Sequence, residues 1–377
     1  MFTSNEAVSS PVVLVEDGHI VALGSQSEIE IPAGARVLQF EGAALAPGYV
    51  DLHIHGSKGV DVMDAGDGGL ERMAEFLAAH GVTAFLPTTV TADMGVLVDA
   101  VSRIAEKIES WAPNGVAARP VGIHLEGPCI SQEKRGVHPP EFIKNPSLEI
   151  LDRLCKAGRG WVKLITVAPE LPGAIELIAE ATRRGVRVSI GHTNGQADDA
   201  DKAIAAGAVH ATHTFNAMRA LDHRTPGVLG RVLESDQLSA EIIADGVHVD
   251  PMVVELFLRC KGGDRAVLVT DATSATGMPD GKYRLGSFEV TVKGPRCEWE
   301  GHLAGSVLTL DRAVRNVMAF AGWELGRSVK LASENAARVI GETAFGTLRK
   351  GARADIAVLD PQGDVLATFV GGRESGS

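Results

Sequence analysis

The chain has 377 residues, 45% of them hydrophobic, and a formal net charge of −12. This size allows a large catalytic domain with a smaller accessory one, and the acidic charge argues against a nucleic-acid partner. Four scattered cysteines without a CxxC pair indicate reduced thiols. No apolar run reaches membrane-spanning length, and the N-terminus lacks the order of a signal peptide. We therefore expect a cytoplasmic protein without membrane partners.

Residues 1–46 alternate apolar and polar positions between turn-forming residues, as in "VVLVEDGHIVALG". This period of two predicts short antiparallel strands. The same pattern returns from about Thr347 in "GTLRKGARADIAVLDPQGDVLATFVGG". We therefore expect residues 1–46 and 341–377 to build one small β-sandwich domain from both chain ends.

Residues 47–340 alternate β-branched apolar runs with amphipathic stretches, which is typical of parallel strands joined by helices. Helices are predicted at Gly69–His80, Val96–Ser110, Gly173–Arg184 and Pro251–Arg259. The apolar runs end at "VDLHIHG", "TAFLPTT", "VGIHLEGP", "VKLITVAPE", "VSIGHTN", "HATHTFNAM", "AEIIADGVHVD" and "AVLVTDAT". Eight such units predict an α/β fold, a (β/α)8 TIM-like barrel, with its reactive groups where strands end.

The first of these strand ends carries two histidines, His53 and His55, directly before Gly56. Side chains two apart on a strand share a face, so both imidazoles project towards the barrel mouth. Neutral imidazoles at this spacing can hold one metal ion. The alternative is a pair of buried histidines with satisfied hydrogen bonds.

Three further strand ends supply matching groups. Glu126 ends "VGIHLE", where a carboxylate can complete one metal site or bridge two, or else accept bonds from the following turn; His124 lies one layer deeper. His192 extends an inward apolar row, and His213 is preferred over His210 because it is nearer its strand's end. Imidazole and carboxylate ligands without cysteine favour Zn²⁺, with Fe²⁺ as the second choice.

An acid/base group is predicted at the last barrel strand. Asp271 follows the inward positions Val267 and Val269 in "AVLVTDAT". A carboxylate there could take a proton from metal-activated water and return it to a leaving group. The alternative is an ordinary helix N-cap. The segment after Asp271 carries no diagnostic pattern.

The strand ends quoted above, together with "GVHPP", "RTPGVLG" and "LAGS", resemble the N-acetylglucosamine-6-phosphate deacetylase family of the amidohydrolase superfamily. The resemblance covers almost the whole chain. It implies a metal site of Glu126, His192 and His213, and a second site of His53 and His55 sharing Glu126, for one or two ions per subunit. Lys163 is a rival bridging ligand, since many superfamily members use a carboxylated lysine.

The resemblance also implies a phosphosugar substrate. His138 would bind near the acetamide carbonyl. Asn216, Ala217 and His248 would bind the phosphate, joined by Arg224 from the neighbouring subunit of a homodimer. Arg224 could instead be a solvated loop arginine, and Cys129 a loop thiol or an inert packed one.

The implied reaction is hydrolysis of N-acetyl-D-glucosamine 6-phosphate to glucosamine 6-phosphate and acetate in amino-sugar catabolism. Alternatives are the galactosamine epimer, another N-acyl or cyclic amide, and a non-catalytic amino-sugar sensor. A sensor needs no proton shuttle, so Asp271 beside a full ligand set argues against it.

Overall fold

The computed structural model describes residues 1–2, 8–66 and 68–375. Within these ranges eight parallel strands form a barrel, each hydrogen-bonded to the next in chain order. An isolated parallel bridge from Ile54 to Ala272 links the first strand to the segment after the last. The strands are Tyr49–Ile54, Val82–Thr89, Ile123–Glu126, Val162–Val167, Arg187–Ile190, His210–Ala211, Ser239–Ile242 and Ala266–Leu268. The predicted barrel is confirmed.

The barrel strands form because their apolar runs are buried on both faces. All eight residues of Val82–Thr89 are buried, as expected where helices cover one side of a sheet and barrel side chains fill the other. A short strand, Arg119–Pro120, pairs beside it. The eight apolar runs were readable in the sequence because this double burial leaves little room for polar residues.

Amphipathic helices surround the barrel, and Met94–Glu109 shows why they form. Its buried residues recur every three or four positions from Leu97 to Ile108, and the Asp93 side chain accepts a bond from the Gly95 backbone amide. Such a cap contributes about 0.5–2 kcal/mol. The helices are Gly69–Ala79, Met94–Glu109, Leu148–Ala157, Ala174–Arg183, Ala197–Ala206, Gly227–Glu234, Pro251–Arg265, Leu310–Ala321, Leu325–Leu331 and Glu334–Val339, with 3₁₀ turns at Val62–Asp64 and Pro140–Phe142.

All four predicted helices are present, with small shifts at three of them. The fourth begins at Pro251 as expected but continues to Arg265, across a non-helical Gly262. Gly262 has φ 65°, which glycine tolerates better than other residues, so the chain kinks there and continues. No helix in the described part of the chain is long and apolar enough to cross a membrane.

The two chain ends meet in antiparallel sheets. Pro11–Glu16 and His19–Ser25 form a hairpin whose turn residues, Asp17 and Gly18, both have positive φ. In a second sheet, Ala44–Pro47 pairs with Ile356–Leu359. That sheet continues outward through Val365–Val370 and Arg373–Glu374.

A separate apolar cluster joins these two sheets. It contains Met1 and Ile20 from the N-terminal end, and Leu348, Ala354 and Ile356 from the C-terminal end. Neither end could bury these side chains alone, so the cluster supports a small domain built from both. The boundaries at residues 46 and 340 stay a prediction.

The sequence did not predict a third antiparallel sheet, which we call the insert sheet. It follows the last barrel strand and consists of Gly281–Leu285, Phe288–Lys293, Arg296–Trp299 and His302–Leu303. Asp61, a few residues after the first barrel strand, accepts a hydrogen bond from the Gly286 backbone amide at 2.6 Å. The insert sheet is thereby attached to the carboxyl end of the barrel. A smaller hairpin, Gly56–Ser57 with Val60–Asp61, lies at the same end.

Candidate active site and metal centre

A cavity of about 150 Å³ opens at the carboxyl ends of the barrel strands. Most of the predicted site residues line it. Its walls comprise His55, Val90, Glu126, Gly136, Val137, His138, His192, His213, Asn216, Ala217, His248, Asp271, Leu285, Leu303 and Gly305. The cavity therefore collects side chains that are far apart in the chain, at the end of the barrel where this fold carries its chemistry.

Two groups of possible metal ligands lie together here. In the described residues, they are His53, His55 and Asp271, and Glu126, His192 and His213, with ligand atoms within 4.8 Å of one another in each group. All six residues are buried. Asp271, which was predicted as an acid/base group, is thus also a possible metal ligand beside His53 and His55.

Glu126 stands between the two groups. Its Oε1 lies 3.0 Å from Nε2 of both His192 and His213. Its Oε2 lies 3.2 Å from Nε2 of His55, and Oε1 is 3.4 Å from Nε2 of His53. One carboxylate can therefore serve both groups.

The spacing of the ligand atoms fits a divalent ion. The Nε2 atoms of His192 and His213 are 3.1 Å apart, and those of His53 and His55 are 3.2 Å apart. Two ligands of a tetrahedral ion bound at about 2.0–2.1 Å are separated by about 3.3 Å. Four imidazole nitrogens and two carboxylates therefore converge at distances that suit metal binding.

Hydrogen bonds turn these imidazoles towards the centre. Nδ1 of His55 donates to the Thr88 carbonyl at 3.1 Å, and Nδ1 of His192 donates to the Lys134 carbonyl at 2.8 Å. A proton held on Nδ1 leaves the Nε2 lone pair free. Both rings are thus in the tautomer that a metal requires.

The local charges favour a cation. Burial alone would lower the pKa of His55, but the Asp271 and Glu126 carboxylates outweigh it and raise the pKa to about 9. Burial would likewise raise the pKa of Glu126, but the surrounding imidazoles hold it well below its ordinary value. The carboxylates therefore stay ionised in a buried site, where their charge attracts protons or a metal ion.

Three of the residues whose side chains converge have strained backbone dihedral angles. His192, His213 and Asp271 have φ values of 47°, 24° and 49°. Such left-handed positions cost on the order of 1–3 kcal/mol each and persist where surrounding contacts impose them. At Asp271 the backbone amide donates to the His53 carbonyl at 2.8 Å, and the Ser306 amide donates to the Asp271 carbonyl at 2.7 Å. These contacts hold the turn that aims the carboxylate into the cavity.

Gly56 lets the chain turn directly after the paired histidines. A Cβ added at this position would lie 2.2 Å from the Val60 carbonyl oxygen and 2.7 Å from the Ser274 amide nitrogen. Only glycine fits without moving backbone, so the loop can fold closely beside His55.

His138 is oriented as a hydrogen-bond donor to the cavity. Its Nδ1 accepts from the Thr91 backbone amide at 3.2 Å, with the Thr91 hydroxyl at 2.8 Å. In a neutral ring the proton is then on Nε2, which lies 3.4 Å from Glu126 Oε2. That proton faces the space beside the ligand groups.

The residues predicted to bind phosphate divide into two sets. Asn216, Ala217 and His248 line the cavity, and Asp245 accepts from Nδ1 of His248 at 2.7 Å. Arg224 does not line it and is exposed in the loop before the helix Gly227–Glu234. The described part of one chain therefore brings ten of the eleven predicted site residues together and leaves Arg224 outside.

The alternatives raised from the sequence lie elsewhere. Lys163 pairs with Glu342 at 3.2 Å, away from the ligand groups. His124 is buried and bonds the Leu52 carbonyl and the Thr166 hydroxyl. Cys129 is also buried, and burial raises the pKa of its thiol to about 12, which favours the inert alternative.

Sequence reasoning missed two contributors. Glu241 accepts from Nδ1 of His53 at 3.2 Å and from Nε2 of His210 at 3.1 Å. Its signal was present, since a charged residue interrupts the apolar barrel strand "SAEI". Leu285 reaches the cavity from the insert sheet, in the segment after Asp271 that carried no diagnostic pattern, whereas Leu303 of the same sheet begins the "LAGS" motif.

The model of the amidohydrolase family matches residues 44–376. The chain belongs to the amidohydrolase family. This amidohydrolase is 36% identical to an N-acetylglucosamine-6-phosphate deacetylase of Lysinibacillus sphaericus, over 96% of this chain and 92% of that protein. It is also 36% identical to an N-acetylgalactosamine-6-phosphate deacetylase of Escherichia coli O157:H7, over 92% and 93% of the two chains.

A solved structure is similar along the full length. It is a variant of N-acetyl-D-glucosamine-6-phosphate deacetylase from Mycobacterium smegmatis in complex with N-acetyl-D-glucosamine 6-phosphate. The TM-score is 0.92 at 34% identity, covering 100% of this chain and 97% of that one.

Proposed function

We propose that this amidohydrolase hydrolyses the acetamide of N-acetyl-D-glucosamine 6-phosphate to D-glucosamine 6-phosphate and acetate, in amino-sugar breakdown. The observation that carries the proposal is the convergence of Asp271 and His138 on two ligand groups in one cavity. The relatives named above act on N-acetylhexosamine phosphates, which supports the substrate class.

The metal would be held by His53, His55, Glu126, His192 and His213. One or two divalent ions are proposed, with Zn²⁺ preferred and Fe²⁺ second, because the donors are imidazole and carboxylate without thiolate. When bound, such an ion polarises a carbonyl and lowers the pKa of water from 15.7 to about 7.

Asp271 and His138 would carry the proton chemistry. Burial would raise the pKa of Asp271, but the imidazoles of His53 and His55 outweigh it and keep the pKa below its ordinary value. The ionised carboxylate accepts a proton from the attacking water and then delivers it to the departing amine. The Nε2–H group of His138 donates a hydrogen bond to the acetamide oxygen. This bond stabilises the negative charge that develops on that oxygen.

Phosphate recognition would use Asn216, Ala217 and His248, completed by Arg224 of a second subunit. Arg224 is exposed and outside the cavity of its own chain, which supports a role across a homodimer interface. A guanidinium gives bidentate hydrogen bonds to phosphate, so one such group can outweigh the diffuse repulsion from a net charge of −12. Monomeric protein should therefore bind the phosphosugar poorly.

The galactosamine epimer is the second candidate, because the Escherichia coli relative acts on N-acetylgalactosamine 6-phosphate at the same identity. The test is acetate release from both phosphosugars and from unphosphorylated N-acetylglucosamine, by protein of measured metal content. We expect turnover of N-acetylglucosamine 6-phosphate to dominate. No release from either phosphosugar would reject the proposal, and faster release from the galactosamine compound would reassign the substrate.

A cytoplasmic location completes the proposal. All four cysteines are free, which suits a reducing compartment. Cell fractionation with an antibody to the protein tests it, and recovery outside the cytoplasmic fraction would contradict it.

A further inference from the structure

Glu241 is a fully buried carboxylate that belongs to neither ligand group in the described residues. It lies on the barrel strand Ser239–Ile242, between the strands His210–Ala211 and Ala266–Leu268. A buried carboxylate is costly unless its oxygens accept several hydrogen bonds. The partners of Glu241 therefore indicate what keeps it there.

Those partners connect both halves of the proposed metal centre. Oε2 accepts from Nδ1 of His53 at 3.2 Å and from the backbone amide of His213 at 3.1 Å. Oε1 accepts from Nε2 of His210 at 3.1 Å. One oxygen thus touches a member of each ligand group, and the other is held by a histidine that belongs to neither.

The contact to His53 sets the state of its ring. A carboxylate only accepts, so the proton of a neutral His53 must be on Nδ1. Nε2 then presents its lone pair 3.2 Å from Nε2 of His55 and 3.4 Å from Glu126. The negative charge behind the ring also makes that nitrogen a stronger donor to a metal.

The contact to His213 sets the position of its backbone. His213 has φ 24°, and its buried Nδ1 has no hydrogen-bond partner in the described structure, so no ring contact on that side orients it. The Thr214 amide donates to the Glu241 carbonyl at 2.9 Å, next to the bond from the His213 amide. Glu241 thus holds the strained turn at two adjacent amides.

We propose that Glu241 is a positioning residue that couples the two ligand groups, with His210 holding its carboxylate in place. The inference rests on the proposed metal centre and deepens it. Loss of the carboxylate charge should weaken metal binding through His53 and through His213 together, although Glu241 itself touches no metal.

The test is the dissociation constant for Zn²⁺, measured by chelator competition on full-length Glu241→Gln protein. Removing such an outer partner typically weakens metal binding about 10–100-fold, and we expect a loss in that range. The absorption of the Co²⁺-loaded protein should also change, because the ligand geometry relaxes. The melting temperature of the metal-free variant serves as the folding control.

Asp311→Asn is the matched control, since Asp311 is another buried carboxylate paired with a histidine, His80, at 3.2 Å but outside the cavity. Its Zn²⁺ affinity should equal that of the unaltered protein. If Glu241→Gln does not fold, His210→Asn is measured instead. We expect its Zn²⁺ affinity to fall by more than about twofold and up to about tenfold, because the carboxylate loses its second support.

The inference would be overturned if the Zn²⁺ affinity of Glu241→Gln stayed within twofold of that of the unaltered protein. The same result for His210→Asn would overturn it where Glu241→Gln does not fold. Failure of unaltered protein to bind Zn²⁺ would also overturn it, together with the metal centre. Unaltered protein that binds Zn²⁺ but releases no acetate would reject the proposed reaction alone. The two failures are therefore distinguishable.

Discussion

The proposed metal centre and the proposed phosphate end of the same cavity are built in different ways. The ligand groups come from strand ends of one barrel, are buried, and have most rings oriented by hydrogen bonds. At the phosphate end, Asn216, Ala217 and His248 lie on loops, and Arg224 is exposed. The proposed metal ligands converge within a single chain, whereas Arg224 lies outside the cavity of its own chain.

Because of this difference, we expect that substitutions can alter catalysis and phosphate recognition separately. A rigid barrel can hold reacting groups within the tolerance that catalysis needs, while loops can gather binding groups from more than one source. Changes at the metal centre should therefore lower kcat, and changes at the phosphate end should raise KM.

Removal of metal is the most severe test. Dialysis against a strong chelator should abolish acetate release, because the ion that would activate water and polarise the amide is removed. Added Zn²⁺ should restore activity with a stoichiometry of one or two ions, read by elemental analysis. Full activity in protein shown to be metal-free would contradict the proposed centre.

Asp271→Asn should come next in size. The amide keeps the shape of the side chain but cannot shuttle a proton, so kcat should fall at least about 10²–10⁴-fold. Because Asp271 lies 3.1 Å from His55, metal content must be measured on the same sample. An active variant that retains its metal would remove the assignment.

Arg224→Ala should affect recognition and spare chemistry. Loss of a guanidinium that binds phosphate should raise KM for the phosphosugar about 10–100-fold, equivalent to about 1.4–2.7 kcal/mol. Activity on the unphosphorylated sugar should not change. Arg231→Ala is the control, because Arg231 lies on the helix Gly227–Glu234 and already forms ion pairs with Asp201 and Glu234. An equal effect from both arginines would contradict a specific role for Arg224, as would tight phosphosugar binding by a monomer.

Metal affinity should also depend on pH. Despite burial, Asp271 and Glu126 raise the pKa of His55 to about 9, so the imidazole carries a second proton below that pH. A metal needs the neutral imidazole, and its apparent affinity should therefore fall about tenfold per pH unit below 9 for each proton displaced. Chelator competition across this range checks the slope. An affinity independent of pH would show that the carboxylates do not hold protons in competition with metal.

Much of the barrel was predictable because its signals are local. Period-two alternation placed His53 with His55 and put Glu126 at a strand end. The preference for His213 over His210 rested on nearness to the strand's end, and His213 is the one that reaches Glu126. The insert sheet was not predicted. One of its strands, Phe288–Lys293, does alternate buried and exposed residues, but this local period does not show that the sheet reaches the cavity.

The sequence by itself determined the order of strands and helices, and which residue types stand at the strand ends. It could do so because burial imposes periods of two and about 3.6 on neighbouring residues. Only the tertiary structure decided which of these residues contact one another. Glu241 contacts His53 across 188 positions, and Leu285 reaches the cavity from a sheet outside the barrel. Such contacts depend on how the closed barrel brings distant segments together, and no local period records them.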